Sequence, residues 1–291
     1  MNQQSHKIYK LRQTLDRDNV RILCEEWSFY SMNAHCRSPL LLCLFGTDED
    51  CILHLTESLK DMTISPKIDD IDETYSINYK KLEWNRIEQD SSSEETVSNL
   101  LKQLGKLLFM SPCCDNKELF YSLINSKPQH SVLNIILNPK ACNDNFKSSF
   151  NKWLNLLKNI KRRDNNKLLL VSHIIRIQDW ENLNVDEEEL ISFIKENPHF
   201  QKVPDAESIL KIEWDSLQNG FYNSLSKVCF TDICDWVDIR LTEELAKLDG
   251  LNIDIQRLKK AIDEWHNKEP LPMLEAEEII DSELHEYKLI D

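Results

Sequence analysis

Glycine is scarce in this sequence, which holds 4 glycines among 291 residues. Average usage would supply roughly 20 in a chain of this length. Loops that hold phosphate on backbone amides depend on glycine, because it adopts positive φ angles and lets the backbone approach a ligand closely. The composition therefore argues against a chain built around glycine-rich nucleotide-binding loops.

Long apolar runs are also missing. The longest mostly apolar stretches, Pro39–Phe45 and Val132–Leu137, fall far short of the roughly 20 residues that a membrane-spanning helix needs. Residues 1–12 are polar and lack the apolar core of a secretory signal. Cys24 and Cys43 lie inside apolar runs, where free cysteine behaves as a small hydrophobe. We therefore expect no membrane contact and a cytoplasmic, reducing location.

An excess of positive charge is absent as well. Lysine and arginine number 35 against 50 aspartates and glutamates, which gives a formal net charge of −15. Nonspecific nucleic-acid binding requires cations that neutralise phosphates. The one dense basic stretch, 158–163, falls where a helix is expected to end, and cations there interact favourably with the helix dipole. Direct nucleic-acid binding is therefore not expected.

Three short apolar runs predict strands that are buried on both faces, as in a parallel sheet. Helical periodicity precedes the first run and separates the second from the third. This alternation predicts an α/β fold, a parallel sheet flanked by helices, over residues 1–230, with a helical extension over 231–291. The three runs are Leu40–Phe45, Ser131–Leu137 and Lys167–Val171, and weaker strand predictions fall on Tyr75–Trp84, Ser208–Trp214 and Leu225–Phe230.

The first apolar run ends at Gly46, and the polar residues Thr47–Asp50 then predict the start of a helix. A strand, a glycine and a helix in this order mark the position of a P-loop, G-x-x-x-x-G-K-[ST]. Counted from Gly46, the second glycine is replaced by Cys51, the lysine by Ile52 and the hydroxyl residue by Leu53.

These replacements remove the contacts that hold a nucleotide. Losing one charge-assisted contact costs about 1.5–3 kcal/mol. Asp48, Glu49 and Asp50 would add repulsion against phosphate at short range. The loop is thus predicted to bind no nucleotide. The spacing alone equally allows that Gly46 merely ends a core strand.

The end of the second apolar run agrees with this prediction. Hydrolytic P-loop enzymes place an aspartate at the end of the corresponding strand to manage Mg²⁺. Here Ser131–Leu137 is followed by Asn138, Pro139 and Lys140. Asn138 is a weak magnesium ligand and Lys140 would repel the metal. We therefore predict no catalytic residues, no cofactor and no metal at this degenerate Walker B position.

Several stretches carry a family resemblance. They are the helix before Leu40–Gly46, the segment Ser131–Asn138, the helix with Phe150 and Trp153, the strand Lys167–Val171, and the later segments Asp179–Trp180, Ile209–Ile212 and Leu225–Trp236. In this order they resemble the inactive STAND group, degenerate P-loop relatives of STAND signalling ATPases in prokaryotic conflict and signalling systems. The resemblance implies a non-catalytic adaptor that works through a protein partner encoded nearby.

Two other functions remain open. An acidic protein could act as an effector or inhibitor that binds a foreign protein, because such surfaces can cover a basic site. An α/β enzyme of another chemistry would need a deep pocket with convergent titratable groups. A zinc site made of Cys113, Cys114, Cys142 and His130 does not match the paired cysteine spacing of structural zinc.

Overall fold

The computed structural model describes part of the chain. The described residues are 18–32, 39–48, 50, 52, 55–56, 59, 77–84, 92–110, 117–118, 120–121, 130–137, 139, 144–160, 169–214, 220–225, 233–234, 237, 260, 273, 275–276, 278 and 282. The predicted positions Cys51, Leu53 and Asn138, and most of the extension over 231–291, lie outside these ranges. The boundary at residue 230 therefore stays a prediction.

One parallel sheet organises the described residues. Its order is β2-β3-β4-β1-β6-β5, and every neighbouring pair is parallel. The strands are β1 (Leu40–Gly46), β2 (Ile77–Glu83), β3 (His130–Leu137), β4 (Leu169–Arg176), β5 (Phe200–Lys202) and β6 (Gly220–Ser224). The predicted α/β class, a parallel sheet flanked by helices, is confirmed.

Helices cover both faces of this sheet. They are α1 (Asp18–Met32), α2 (Ser93–Phe109), α3 (Asp144–Lys158), α4 (Val185–Glu196) and α5 (Ala206–Ile209). Residues of α2, α3 and α4 pack in one apolar core, and residues of α1 and α5 pack in the other. None of the helices seen in the described residues is long and apolar enough to cross a membrane.

β1 contributes to both cores because its side chains alternate between the two faces. Leu41, Cys43 and Phe45 enter the core with α2, α3 and α4. Leu40, Leu42 and Leu44 enter the core with α1 and α5. Burial on both faces explains the uninterrupted apolar run, which a half-exposed strand would not show.

The connections change direction around β1. The chain leaves β1 for β2 at one end of the sheet, returns through β3 to β4, and then crosses β1 and β6 to reach β5. Right-handed crossovers that run in opposite directions place their helices on opposite faces, as observed. In open α/β sheets, ligands bind outside the carboxyl ends of strands at such a point. The loop after β1 is therefore the position where a site is expected.

Some predicted boundaries are wrong. The segment Ser208–Trp214 is not a strand, because Asp205 caps a short helix by accepting a hydrogen bond from the Ser208 N–H at 2.8 Å. A strand that was not predicted lies at Gly220–Ser224, whereas the predicted strand Leu225–Phe230 lies outside the described residues except for Leu225. α2 begins at Ser93, because Ser92 and Glu95 form a capping box there.

A buried histidine joins β1, β4 and α3. The Trp153 indole N–H donates to His173 Nε2 at 3.0 Å, and His173 Nδ1 lies 3.2 Å from the Leu42 carbonyl oxygen. Because Nε2 accepts a hydrogen bond, Nδ1 carries the proton and the ring is neutral. Burial lowers the pKa of His173 to about 4, against an ordinary value of 6.5.

This shift predicts a pH dependence of stability. Between pH 6.5 and about 4 the unfolded chain binds a proton at His173 and the folded chain does not, so stability falls as pH falls. The loss amounts to about 3 kcal/mol across this window. Urea unfolding of the wild type and of His173→Gln should show a steeper pH slope for the wild type. Carboxylates titrate in both proteins, so their contribution to the pH dependence cancels in the comparison. Equal pH slopes would contradict a His173 that is buried in its neutral form.

Candidate functional site

The loop after β1 is closed by three hydrogen bonds between Thr47 and Asp50, which act as donors to each other. The Thr47 N–H and hydroxyl donate to Asp50 Oδ2 at 2.7 and 3.0 Å, and the Asp50 N–H donates to Thr47 Oγ1 at 3.2 Å. This is a capping box, in which the two residues satisfy each other's backbone donors at a helix start. The helical residues 52, 55 and 56 follow, as predicted.

A third donor comes from the loop after β4. The Trp180 indole N–H donates to the same oxygen, Asp50 Oδ2, at 2.9 Å. Asp50 is 4 % exposed, so its carboxylate lies inside the loop instead of extending into solvent. Backbone amides at this point of a P-loop would face phosphate. Here the chain's own carboxylate accepts the Thr47 amide, and Trp180 fixes the carboxylate in place.

The space above Gly46 is filled by apolar side chains. A Cβ atom at Gly46 would meet Ile52 Cδ1 and Leu225 Cδ1, each at 3.3 Å. Ile52, at the position of the P-loop lysine, is buried in the core that also holds α1. The Ile52 side chain thus points into the protein as a core residue.

The remaining described carboxylate of the loop is paired with a cation. Arg176, the last residue of β4, lies beside Gly46 in the sheet register. Its Nε and Nη2 donate to Asp48 Oδ1 at 3.0 and 2.7 Å, and Nη2 also reaches Oδ2 at 2.5 Å. Both side chains are about half exposed or more, so the pair adds little stability. The ion pair does, however, occupy the Arg176 guanidinium with a carboxylate of the same chain.

A buried glutamate holds the loop that carries Trp180. Glu187 Oε1 accepts from the Gln178 N–H at 2.8 Å, and Oε2 accepts from the Asn184 N–H at 3.0 Å. Asn184 in turn caps α4 by accepting from the Glu187 N–H. These bonds fix both sides of the segment, which positions Trp180 over Asp50.

The predicted site residues have different outcomes. Gly46 ends β1 as expected, and Ile52 is buried. Cys51, Leu53 and Asn138 stay predictions, because they lie outside the described residues. The sequence reasoning missed the roles of Trp180 and Arg176, since only the strand order brings the ends of β1 and β4 together. The Thr47-x-x-Asp50 spacing was a readable signal for the capping box.

The two buried cysteines, Cys24 and Cys43, are not activated nucleophiles. Burial raises the pKa of Cys24 to about 12 and also raises the pKa of Cys43. A thiol acts as a nucleophile through its thiolate, so neither group suits covalent catalysis. The described residues hold no group of three or more His, Cys, Asp or Glu side chains placed to bind a metal ion.

Comparison with known proteins gives a distant likeness of fold. The sequence matches no family model. It also matches no curated protein. Among solved structures, the chain is similar to the Aeropyrum pernix ORC2 protein (ADPNP-ADP complexes), with a TM-score of 0.45, 14 % identity and coverage of 92 % of this chain and 62 % of that one. The chain thus spans less than two thirds of the ORC2 protein.

Two further structures are similar at lower scores. One is the Escherichia coli MS115-1 HORMA:CdnC:Trip13 complex, with a TM-score of 0.40, 9 % identity and coverage of 96 % of this chain and 91 % of that one. The other is a Walker-type ATPase of Pyrococcus abyssi, with a TM-score of 0.34, 11 % identity and coverage of 91 % and 75 %. Likenesses this remote concern the fold alone and carry no statement about ligands or activity.

Proposed function

We propose that this chain is a non-catalytic adaptor or scaffold that acts through protein–protein contacts and does not hydrolyse nucleotide. The observation that supports the proposal most is the position of the Asp50 carboxylate. It accepts hydrogen bonds from Thr47 and Trp180 in the loop after β1, where an active P-loop would hold phosphate. A nucleotide phosphate would have to displace this carboxylate and then lie against it.

Charge repulsion and the loss of phosphate contacts both disfavour nucleotide binding at this loop. Two like charges about 4 Å apart repel by about 4 kcal/mol near a protein surface. A P-loop lysine would offset this repulsion, but Ile52 stands at the predicted lysine position, and its side chain is buried in the core. Arg176 is engaged by Asp48, so it is not available without breaking that pair. The loop therefore suits a structural role better than phosphate binding.

The proposal also includes the biological system in which this adaptor works. We infer a prokaryotic defence or signalling system, with the partner encoded near this chain, from the resemblance to the inactive STAND group. The alternative of an acidic inhibitor of a foreign protein rests on the net charge of −15. The two differ in the source of the partner.

The source of the partner is measurable. Affinity-tagged protein should retain, from native lysate, a protein encoded beside it, and the reciprocal capture should return this chain. Retention should be the same with and without Mg-ATP. Capture of a foreign protein alone would favour the inhibitor, and ATP turnover by the purified chain would overturn the non-catalytic assignment.

A further inference from the structure

Residues 178–184, which we call the strap, lie between β4 and α4 and form neither helix nor strand. Both ends of the strap are held by one carboxylate of α4. Glu187 Oε1 accepts a hydrogen bond from the Gln178 N–H at 2.8 Å, and Glu187 Oε2 accepts one from the Asn184 N–H at 3.0 Å. Glu187 is 1 % exposed, so water does not weaken these bonds. The shape of the strap therefore depends on a buried residue of α4.

The tip of the strap is built by short-range hydrogen bonds. Asp179 Oδ1 accepts from the Glu181 N–H at 2.9 Å, and Asp179 Oδ2 accepts from the Asn182 side-chain amide at 2.8 Å. The Trp180 ring packs against the core that holds α2, α3 and α4. Its indole N–H donates to Asp50 at 2.9 Å. Trp180 is thus the residue through which the strap contacts the loop after β1.

Asp50 passes this contact on to Thr47. One oxygen, Asp50 Oδ2, accepts from the Trp180 indole N–H and from the N–H and hydroxyl of Thr47. A continuous series of hydrogen bonds and packed side chains therefore runs from Glu187 through the strap to Thr47. Because Asp50 and Glu187 are buried, a displaced strap would leave both carboxylates with fewer donors, which is unfavourable.

The first turn of α4 is accessible from solvent except at Glu187. Val185 is 69 % exposed, and Asp186, Glu188 and Glu189 are exposed as well. Glu187 is the residue of this turn that faces inward and holds the strap. A displacement of this turn therefore also moves the carboxylate on which the strap depends.

We propose that the strap is a latch that couples the start of α4 to the loop after β1. Displacement of Glu187 releases Trp180 from Asp50, and the loop then opens. Glu187 is a positioning residue in this device, because its hydrogen bonds go to the strap and it reaches the loop through Trp180. Local opening of this kind requires less free energy than global unfolding. The inference goes beyond the adaptor function, since it concerns what opens the loop and is measured without any partner.

The test follows hydrogen exchange of the Thr47 backbone amide in the whole chain by NMR. Glu187→Gln should raise its exchange rate about tenfold or more, because glutamine offers one oxygen acceptor where the strap uses two. The matched control is Glu188→Gln, which makes the same change of charge at the exposed neighbour. This control should leave the Thr47 rate unchanged.

Trp180→Phe tests the path of the coupling, because it keeps an aromatic ring and removes the indole donor. The Thr47 amide should exchange about tenfold faster in this variant. Adding Glu187→Gln to Trp180→Phe should then raise the rate no further, since both substitutions release the same contact. If Glu187→Gln does not fold, Glu187→Asp takes its place, because it keeps the carboxylate but is too short to hold both ends of the strap.

Three results would overturn the latch. The first is an unchanged Thr47 rate in Trp180→Phe, and the second is an equal rate in the Glu187 and Glu188 variants. The third is an additive effect of the Glu187 and Trp180 substitutions, which would show that Glu187 stabilises the protein without acting through Trp180.

Discussion

Gly220→Ala is expected to destabilise the protein by about 3 kcal/mol or more, a large part of a typical domain's stability. A Cβ atom at Gly220 would lie 2.6 Å from Leu41 Cβ and 2.7 Å from the Leu41 carbonyl oxygen. The second contact is with backbone, so rotation of a side chain cannot relieve it. Strand β6 would have to move away from β1, which disturbs both cores. Urea unfolding followed by circular dichroism measures the loss.

The matched control is Gly46→Ala, at the residue that would begin a P-loop. Its Cβ would meet side-chain atoms at 3.3 to 3.4 Å, and those side chains can shift by a few tenths of an ångström. We expect a cost of about 1 kcal/mol. If Gly220→Ala stayed within 1 kcal/mol of the wild type, the close packing of β6 on β1 would be disproved.

Asp50→Ala has the second largest expected effect, a loss of about 2–4 kcal/mol. Three donors lose their shared acceptor: the Thr47 N–H, the Thr47 hydroxyl and the Trp180 indole N–H. A buried donor left without a partner costs about 1–3 kcal/mol, and water entering the opened loop recovers part of this. Asp50→Asn keeps one amide oxygen as acceptor and should cost less than Asp50→Ala.

Asp48→Ala is the control for charge in the same loop. It removes the exposed pair with Arg176, and such pairs contribute about 0–1 kcal/mol. The same urea experiment should therefore separate the two aspartates clearly. Equal effects of Asp48→Ala and Asp50→Ala would show that Asp50 acts only as a surface charge, contrary to its contacts with Thr47 and Trp180.

Much of the fold could be predicted from the sequence because strands buried on both faces of a parallel sheet consist of continuous apolar residues. β1 and β3 were predicted to within one residue, and Tyr75–Trp84 contains β2. β4 is longer than predicted because Ser172 and His173 interrupt its apolar run, although both are buried. The His173 ring is satisfied by Trp153 and the Leu42 carbonyl, which no local pattern reveals.

Strands β5 and β6 and the closure of the loop depend on distant contacts. β5 has three residues and β6 contains a glycine, so neither gives a clear strand pattern. At the site, the sequence predicted that phosphate contacts are missing. It did not predict that Asp50 would accept the freed donors, because Trp180 meets Asp50 only when β4 lies beside β1.

The loop from Gly46 to Asp50 is closed on its own carboxylate, and we propose that it binds no nucleotide. Isothermal titration of the purified wild type with ATP, ADP, GTP and GDP, each with Mg²⁺, tests it most directly. We expect no heat of binding for any of the four. Saturable binding of any one of them with a micromolar Kd, weakened by a substitution at Gly46 or Thr47, would contradict it.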